Sequence, residues 1–363
     1  NVPDNPGHAL ADQACFIDTT DIQGVLAVAR RERVDGVIAA CTDVAVPTAA
    51  EVAQALDLPG ISPDAARITC DKNLFRDFLR DQGWNYPEFQ IITTGTVLSE
   101  TWFAQSRVLK PARSSGSKGV RIISSYAEYR SQVSATLAFS LDHRGILESY
   151  IDGSQITCEG LLSQGQIVFA AITDRQTAPA PHVATRGHRL PSRLPATLQA
   201  QILDQLAQLW SVLGVTEGPF DCDLVVAGED IHIIEVSPRV GGNSLARLLL
   251  SAYGFDLVDY AVRQSMGETV VVPASLSPKP AGLLLLGVEQ PGRLHYDATV
   301  LHSFAEMPGV EHLTIDYLPG TMVHAFTDGR HRVGEAIVLG LDREEVDQRL
   351  AELQTRLALK AIS

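Results

Sequence analysis

Phe220-Asp-Cys-Asp-Leu-Val-Val226, the short Gly228-Glu-Asp230, and Ile231-His-Ile-Ile-Glu-Val-Ser-Pro-Arg-Val-Gly-Gly-Asn-Ser244 decide the reading of this chain. The two outer pieces are apolar and rich in β-branched residues, with turn formers between them, so they read as two strands of a tight hairpin. In such a hairpin Asp223 and Glu235 can lie near one another on adjacent strands. Two carboxylates aimed at one point repel unless a cation sits between them. Hard oxygen ligands in pairs suit Mg²⁺, which leaves its remaining positions to water and phosphate. Arg239 follows, where the strand gives way to Gly-Gly. A metal pair with an arginine beside a glycine loop points to chemistry on phosphate. The alternative is a solvated hairpin bearing ordinary surface acids.

A chain of 363 residues has room for two or three subdomains with cores of their own. Hydrophobic residues make up 45%, yet the longest apolar runs are far too short to span a bilayer. The opening residues lack the basic, apolar, small-residue succession of a secretory leader. The five cysteines, at 15, 41, 70, 158 and 222, are odd in number, scattered and in no CxxC pair. Free thiols in a reducing cytoplasm are the expectation, in place of a disulfide framework or a zinc site. A net charge of −14 disfavours nucleic acid and anionic membrane as partners. Only Lys72, Lys110, Lys118, Lys279 and Lys360 are lysines among the 29 basic residues. In a chain that otherwise uses arginine, a retained lysine marks places where a compact ammonium is wanted.

The start alternates strands and helices: a helix from Asp21 to Arg30, a buried strand Val34–Ala40, and a helix from Pro47 to Leu56. This is the tail half of a doubly wound parallel sheet. Asn1-Val-Pro-Asp-Asn-Pro-Gly7 is loop-like, and a first strand with its glycine turn is expected ahead of it. Asp71 caps an amphipathic helix to Gln82. Strands follow at 107–110, 120–123 and 145–151, with a helix over 124–137 between the last two. A hairpin spans 156–162 and 166–173, a Pro-, His- and Arg-rich loop runs from Asp174 to Pro195, and a long helix covers 196–213. Beyond the opening hairpin come helices near 244–253 and 257–266, a linker at Pro273–Pro280, short strands, and a charged amphipathic helix from Arg343.

Several segments carry chemistry. Ser114, Ser115, Gly116, Ser117, Lys118 and Gly119 form a polar glycine loop between strands, whose N–H groups, hydroxyls and ammonium are all phosphate donors. Lys110, at the end of an apolar strand, projects into whatever that loop covers. Glu148, Ser149, Tyr150 and Ile151 read as an exposed strand edge whose backbone can pair with an adenine edge. His188, with Arg186, Arg189 and Arg193, lies in the basic loop and could meet an anionic substrate such as a carboxylate. The bland readings, a flexible turn, a plain edge strand and a solvated basic loop, remain beside these. No Walker A, GxGxxG, GxSxG or HExxH pattern is present, which excludes the P-loop, Rossmann, nucleophile-elbow and zincin classes.

Taken in order, these segments resemble the ATP-grasp superfamily, above all its carboxylate–amine ligases and one synthetase half of carbamoyl-phosphate synthetase. The resemblance runs from about residue 20 to 270. It rests on Asp71-Lys72, Lys110-Pro111, the loop 114–119, Glu148-Ser-Tyr-Ile-Asp-Gly153, Cys158-Glu159-Gly160, Gly187-His188, Asp223 and Glu235-Val-Ser-Pro-Arg239. It implies an ATP-grasp fold, α/β and α+β. A pre-ATP-grasp domain would cover 1–70, the ATP-grasp domain 71–272 with a lid at about 102–155, and a small α+β domain 273–363. It further implies ATP and Mg²⁺ (or Mn²⁺) as ligands. Lys72 and Lys110 would contact phosphates under the closing loop. Residues 148–151 would seat adenine, Gln155 would stand where an acid usually meets the ribose, and Glu159 would belong to the nucleotide site. Asp223 and Glu235 would hold the metal, with Ser237 where the family usually has a metal-assisting Asn. Arg239, His188 and Lys118 would be the catalytic side chains.

The function so implied is joining a small carboxylic acid, an amino acid or similar, to an amine through an acylphosphate, with release of ADP and phosphate. A carboxyphosphate-forming enzyme of the purine or carbamoyl type is the alternative. A non-catalytic nucleotide-binding regulatory protein, for which Ser237 speaks, is the alternative of another class. Expected partners are small-molecule carboxylates and amines, not nucleic acid or membrane. The C-terminal 90 residues would shape the acceptor site or an oligomer interface, a homodimer being the assembly considered.

Overall fold

Five α-helices come first among the described residues: α1 (Pro6–Leu10), α2 (Ile22–Glu32), α3 (Val46–Ala55), α4 (Pro63–Cys70) and α5 (Lys72–Asp81). The structure, a computed structural model, describes residues 5–273 and 276–362. Expectations for the first four residues, and for 274–275 within the linker, lie outside the described residues. Capping places the helix starts where the sequence predicts. Asp21 accepts from the Gly24 N–H at α2, and Asp71 accepts from Asn73 and Leu74 at α5. Val34–Ala40, expected as a buried strand, joins no ladder among the described residues. Its side chains explain its course: Val34 and Val37 pack on Leu26, Ala29 and Val52 of α2 and α3. Gly36 is pressed so closely on the Ser265 backbone that a Cβ would come within 2.6 Å of its carbonyl oxygen.

A four-stranded antiparallel sheet follows, from β1 (Phe89–Ile92), β2 (Arg107–Pro111), β3 (Arg121–Ile123) and β4 (Gly145–Ser149), in the order β1-β4-β2-β3. It is backed by α6 (Tyr126–Leu137), and Leu109, Ile123, Leu137 and Leu147 fill its core. β4 is therefore an interior strand, not the exposed edge expected from sequence: Glu148 stands opposite both Phe89 and Val108. The sheet also draws in β1 from ahead of residue 102.

The second sheet has eight antiparallel strands. Its members are β5 (Ser154–Ser163), β6 (Gln166–Thr177), β7 (Thr185–Leu190), β8 (Gly218–Ala227), β9 (Asp230–Ser237), β10 (Ala281–Leu286), β12 (Val310–Ile315) and β14 (Gly334–Leu339), in the order β12-β14-β10-β7-β6-β5-β8-β9. Helix α7 (Ala196–Val212) covers β5, β8 and β9 through Ile202, Leu206, Leu209 and Trp210. Helices α8 (Leu245–Tyr253) and α9 (Leu257–Ser265) share a second core with Leu161, Phe169 and Leu283. The remaining elements, β11 (Gly292–His295), α10 (Ala298–Ala305), β13 (Met322–Val323), α11 (Arg343–Leu357) and β15 (Lys360–Ile362), include a three-stranded sheet ordered β13-β11-β15. Strands β10, β12 and β14 thus extend the sheet that carries the hairpin.

The stretch 174–195 is not the solvated loop its composition suggests. Residues to Thr177 continue β6, and 185–190 form β7 inside the sheet. Its charges are answered by partners far along the chain. Arg189 donates to the Leu283 carbonyl at 2.7 Å and to Asp347 at 2.9 Å, and Arg193 reaches Glu344 and Asp347. Asp174 accepts from Ser192 and pairs with Arg343. These basic residues dock α11 on the sheet and do not await a ligand.

Candidate active site

Strand β8 alternates cleanly. Phe220, Cys222, Leu224 and Val226 enter the core under α7, while Asp221, Asp223 and Val225 face a cleft. β9 starts in the same phase, with Ile231 and Ile233 in that core, and would then bury Glu235. It does not, because the ladder slips between Asp223 and Leu224: Leu224 pairs with Ile233 and Asp223 with Glu235, leaving Ile234 as an extra residue. This β-bulge flips the phase, so Val236 takes the core position while Ile234, Glu235 and Ser237 face the cleft. The Ile-Ile doublet is its trace in the sequence. The two acids are brought directly opposite one another, as the hairpin reading required.

Arg76 pins the bulge. Its guanidinium, 1% exposed on the core side of α5, donates to the Ile234 carbonyl at 2.7 Å and to the Ile233 carbonyl at 3.4 Å. It also lies 2.7 Å from Glu148, which pairs in turn with Lys110. Burial alone would raise the Glu148 carboxyl, but Arg76 and Lys110 outweigh it and hold it below the ordinary range. Burial pushes the Lys110 ammonium down, with Glu148 only partly opposing. Glu148 is therefore the buried counter-ion of two cations. The N–H groups of Ser149 and Tyr150 are taken by Glu88 and Ser106, and β4 ends as the backbone passes Tyr150 and Ile151 along the cleft wall.

The cleft has a volume of about 390 Å³. Lys72, Lys110, Ser114–Lys118 and the acids Asp223 and Glu235 line it, as do Val108, Ser149–Ile151, Gln155, Val225 and Ile234. Lys72 reaches Glu235 at 3.1 Å and the Ser114 carbonyl at 3.3 Å. Although burial lowers its ammonium, Glu235 and Asp43 prevail and the net shift is upward. Asp223 accepts from Thr157 at 2.7 Å and pairs with Arg175 at 3.0 Å. Ser114 Oγ is buried with no hydrogen-bond partner among the described residues, so one phosphate-type donor stands idle in the loop.

At the far end Arg239 is clamped between two acids, 2.7 Å from Asp43 and 2.6 Å from Asp221. Burial opposes its charge, and the two carboxylates more than restore it, raising the guanidinium above its ordinary value. Ser237 Oγ donates to Asp43 at 2.6 Å. Asp221 is pushed up to about 6, chiefly by burial, with Arg239 pulling the other way.

Three expected site residues do not line the cleft: Gly119 packs against Phe139, and His188 and Glu159 stand behind the cleft. His188 on β7 is buried, its Nδ1 2.9 Å from Thr173 Oγ1, and burial followed by the charge of Arg175 lowers it to about 3. A neutral imidazole is what that leaves near pH 7. Glu159 is wholly buried, accepting from the Gly241 N–H at 2.6 Å, with its carboxyl raised well above normal by burial and then by Asp221. A Cβ on Gly241 would come within 2.1 Å of that carboxylate, so the close approach demands glycine. Sequence reasoning missed Asp43, Arg76, Arg175 and Asp221. A charged residue beside Phe75 on the apolar face of α5 was the one local signal for Arg76. Asp43 gave none, its partners lying 194 and 196 residues away.

An ATP-grasp domain family matches residues 104–247, the span holding the glycine loop, β4, the bulge and Arg239. Residues 104–247 are thus an ATP-grasp domain. Residues 285–360 match a second family, the L-amino acid ligase C-terminal domain 2. Among relatives, protein y4rH of Sinorhizobium fredii is 24% identical over 91% of this chain and 70% of its own length. Carnosine synthase 1 of Gallus gallus is 26% identical over 72% of this chain, which spans only 30% of that protein. The crystal structure of L-amino acid ligase from Bacillus licheniformis shares the fold, with a TM-score of 0.79 at 21% identity, over 96% of this chain and 85% of that one. Among the described residues no helix is long and apolar enough to cross a membrane.

Proposed function

We propose that this ATP-grasp protein is an ADP-forming ligase that joins a small carboxylic acid, an amino acid or similar, to an amine through an acylphosphate. The observation that carries it is the Asp223–Glu235 pair, opposed across the bulge between three lysines with an idle serine hydroxyl on one side and the clamped Arg239 on the other. The L-amino acid ligase module at 285–360 and the kinship to carnosine synthase support the C–N bond and the amino-acid class. We further propose that 1–70 supports Arg239 through Asp43, that 71–272 holds the nucleotide, that 273–363 walls the acceptor end, and that the protein works in the cytoplasm.

Asp223 and Glu235 fit a divalent cation: two hard carboxylates on one ladder rung, with room beside them for phosphate and water. Mg²⁺ held there would neutralise phosphate charge on the bound ATP. Lys72 and Arg175, which answer those acids in the structure, would be freed to meet phosphate oxygens. The glycine loop would cover the γ-phosphate with its N–H groups, Ser114 Oγ and Lys118. A carboxylate oxygen of the acid attacks the γ-phosphorus, the bond to the bridging oxygen breaks, and ADP leaves. Arg239, fixed and permanently charged, is set to hold the acyl oxygen as the amine adds to the carbonyl carbon and phosphate departs. The lid sheet excludes water that would hydrolyse the acylphosphate. His188 and Glu159 act from behind, bracing β6, β7 and the turn at Gly241.

The test is ADP release across paired amino acids, with bicarbonate in a parallel arm, followed by mass determination of the product. Release that needs both an acid and an amine supports the reading. Bicarbonate-dependent release would turn it toward carboxyphosphate chemistry, and release with neither would end it.

A further inference from the structure

The turn that follows β13 leans into the active cleft from the C-terminal segment. Gly329–His331 is a short 3-10 turn, and the Gly329 N–H donates to the Gly116 carbonyl, at the tip of the glycine loop, at 3.0 Å. The next residue fixes the loop's C-terminal end. Arg330 is held by Asp328 through two contacts of 2.9 and 2.8 Å, and Asp328 is itself buried. So braced, its guanidinium lies 5.1 Å over the ring of Phe139. Phe139 sits against Gly119, where a Cβ would come within 2.6 Å of the ring, and Thr136 donates to the Gly119 carbonyl at 2.9 Å. The phosphate loop is thereby fastened at its tip, Gly116, directly and at its end, Gly119, through Phe139. Gly329 and Arg330 line the cleft beside Asn243 and Lys118.

We propose that Gly329 and Arg330 are positioning residues of the glycine loop, which hold it shut over the acylphosphate and so couple ATP consumption to amide formation. The proposal rests on the ligase reading above. An open loop would admit water, whose oxygen bonds to the acyl carbon as the C–O bond to phosphate breaks. The acid is then regenerated, and ATP is spent as ADP and phosphate with no amide formed.

Two substitutions separate latch from fold. Gly329→Pro deletes the donor, while proline suits the first position of a helical turn, and Asp328, at φ −153° and ψ 173°, already has the backbone a residue before proline adopts. Gly329→Ala keeps the N–H and brings its Cβ only to 3.4 Å from the Gly116 oxygen. With the acid–amine pair that supports turnover, Gly329→Pro should raise ADP released per amide about fivefold, the shift one lost backbone hydrogen bond gives. Gly329→Ala should match wild type, and Arg330→Ala should move the same way as the proline variant. In the presence of ADP and Mg²⁺, trypsin should cut after Lys118 faster in Gly329→Pro, with its thermal midpoint unchanged. Wild-type coupling together with wild-type cleavage in Gly329→Pro overturns the proposal. Should wild type show no acid- and amine-dependent ADP release, the ligase reading fails instead, and the trypsin comparison still decides the latch.

Discussion

Replacing Arg76 by Met tests the part of the site that is least visible in the sequence. The side chain is nearly fully buried and has three polar partners: Glu148 at 2.7 Å and the carbonyls of Ile234 and Ile233 at 2.7 and 3.4 Å. Its removal leaves Glu148 with Lys110 as its one remaining ion-pair partner among the described residues. Breaking a buried ion pair from one side costs about 3–5 kcal/mol. Losing the charge-assisted bond to Ile234 would add about 1.5–3 kcal/mol if the two were independent. They share one guanidinium, so about 4 kcal/mol is the expectation for the whole. At roughly 2–4 °C per kcal/mol for a cooperative unit of 150–250 residues, the thermal midpoint should fall by about 8–16 °C. Adding Glu148→Gln should return about half of that, since the stranded carboxylate is then gone. The bulge loses its anchor in both variants, so the KM for MgATP should stay raised about tenfold even in the double variant, a cost of about 1.4 kcal/mol. Scanning fluorimetry and ADP-release kinetics read the two effects. A midpoint within 2 °C of wild type, or a double variant no more stable than the single, would refute the assignment of Arg76 as a shared buried counter-ion.

Asp223→Asn and Glu235→Gln should each cut phosphoryl transfer by about a hundredfold or more while leaving the circular dichroism spectrum unchanged; retained turnover would mean the pair holds no metal. His188→Asn tests the buried imidazole. With a folded value of about 3 against an ordinary 6.5, the unfolded chain binds the extra proton between those limits, so wild-type stability falls as pH drops from about 6.5 toward 3. The variant should lose that part of the slope in urea denaturation followed against pH. An unchanged slope would show that His188 is not held neutral.

The strand pair bearing Asp223 and Glu235 could be read from local pattern, because alternation and turn residues act over a few positions. The order of lysine, glycine loop, strand and acid pair was legible for the same reason. Long-range consequences were not. Whether Glu148 stands at an edge or in the middle of a sheet depends on β1 arriving from residue 89. Asp43 meets Arg239, Arg76 meets the bulge, and Arg189 meets α11 across 150 residues or more, and no sequence spacing encodes such meetings. The basic stretch 185–193 misled for that reason: composition assigns arginines to solvent unless the distant acids and carbonyls that answer them are known. The Ile233-Ile234 doublet is an intermediate case. It breaks a two-residue alternation in plain view, but only the ladder register shows that the break turns Glu235 toward the cleft.

The central claim is that a carboxylate oxygen of the acid attacks the γ-phosphorus and later departs with phosphate. It is tested most directly with acid labelled with ¹⁸O in its carboxyl group, incubated with ATP, Mg²⁺ and the partner amine, with mass analysis of the released phosphate. The account predicts ADP, an amide and phosphate carrying one ¹⁸O atom per turnover. Unlabelled phosphate, or AMP with pyrophosphate that carries no label, would contradict it.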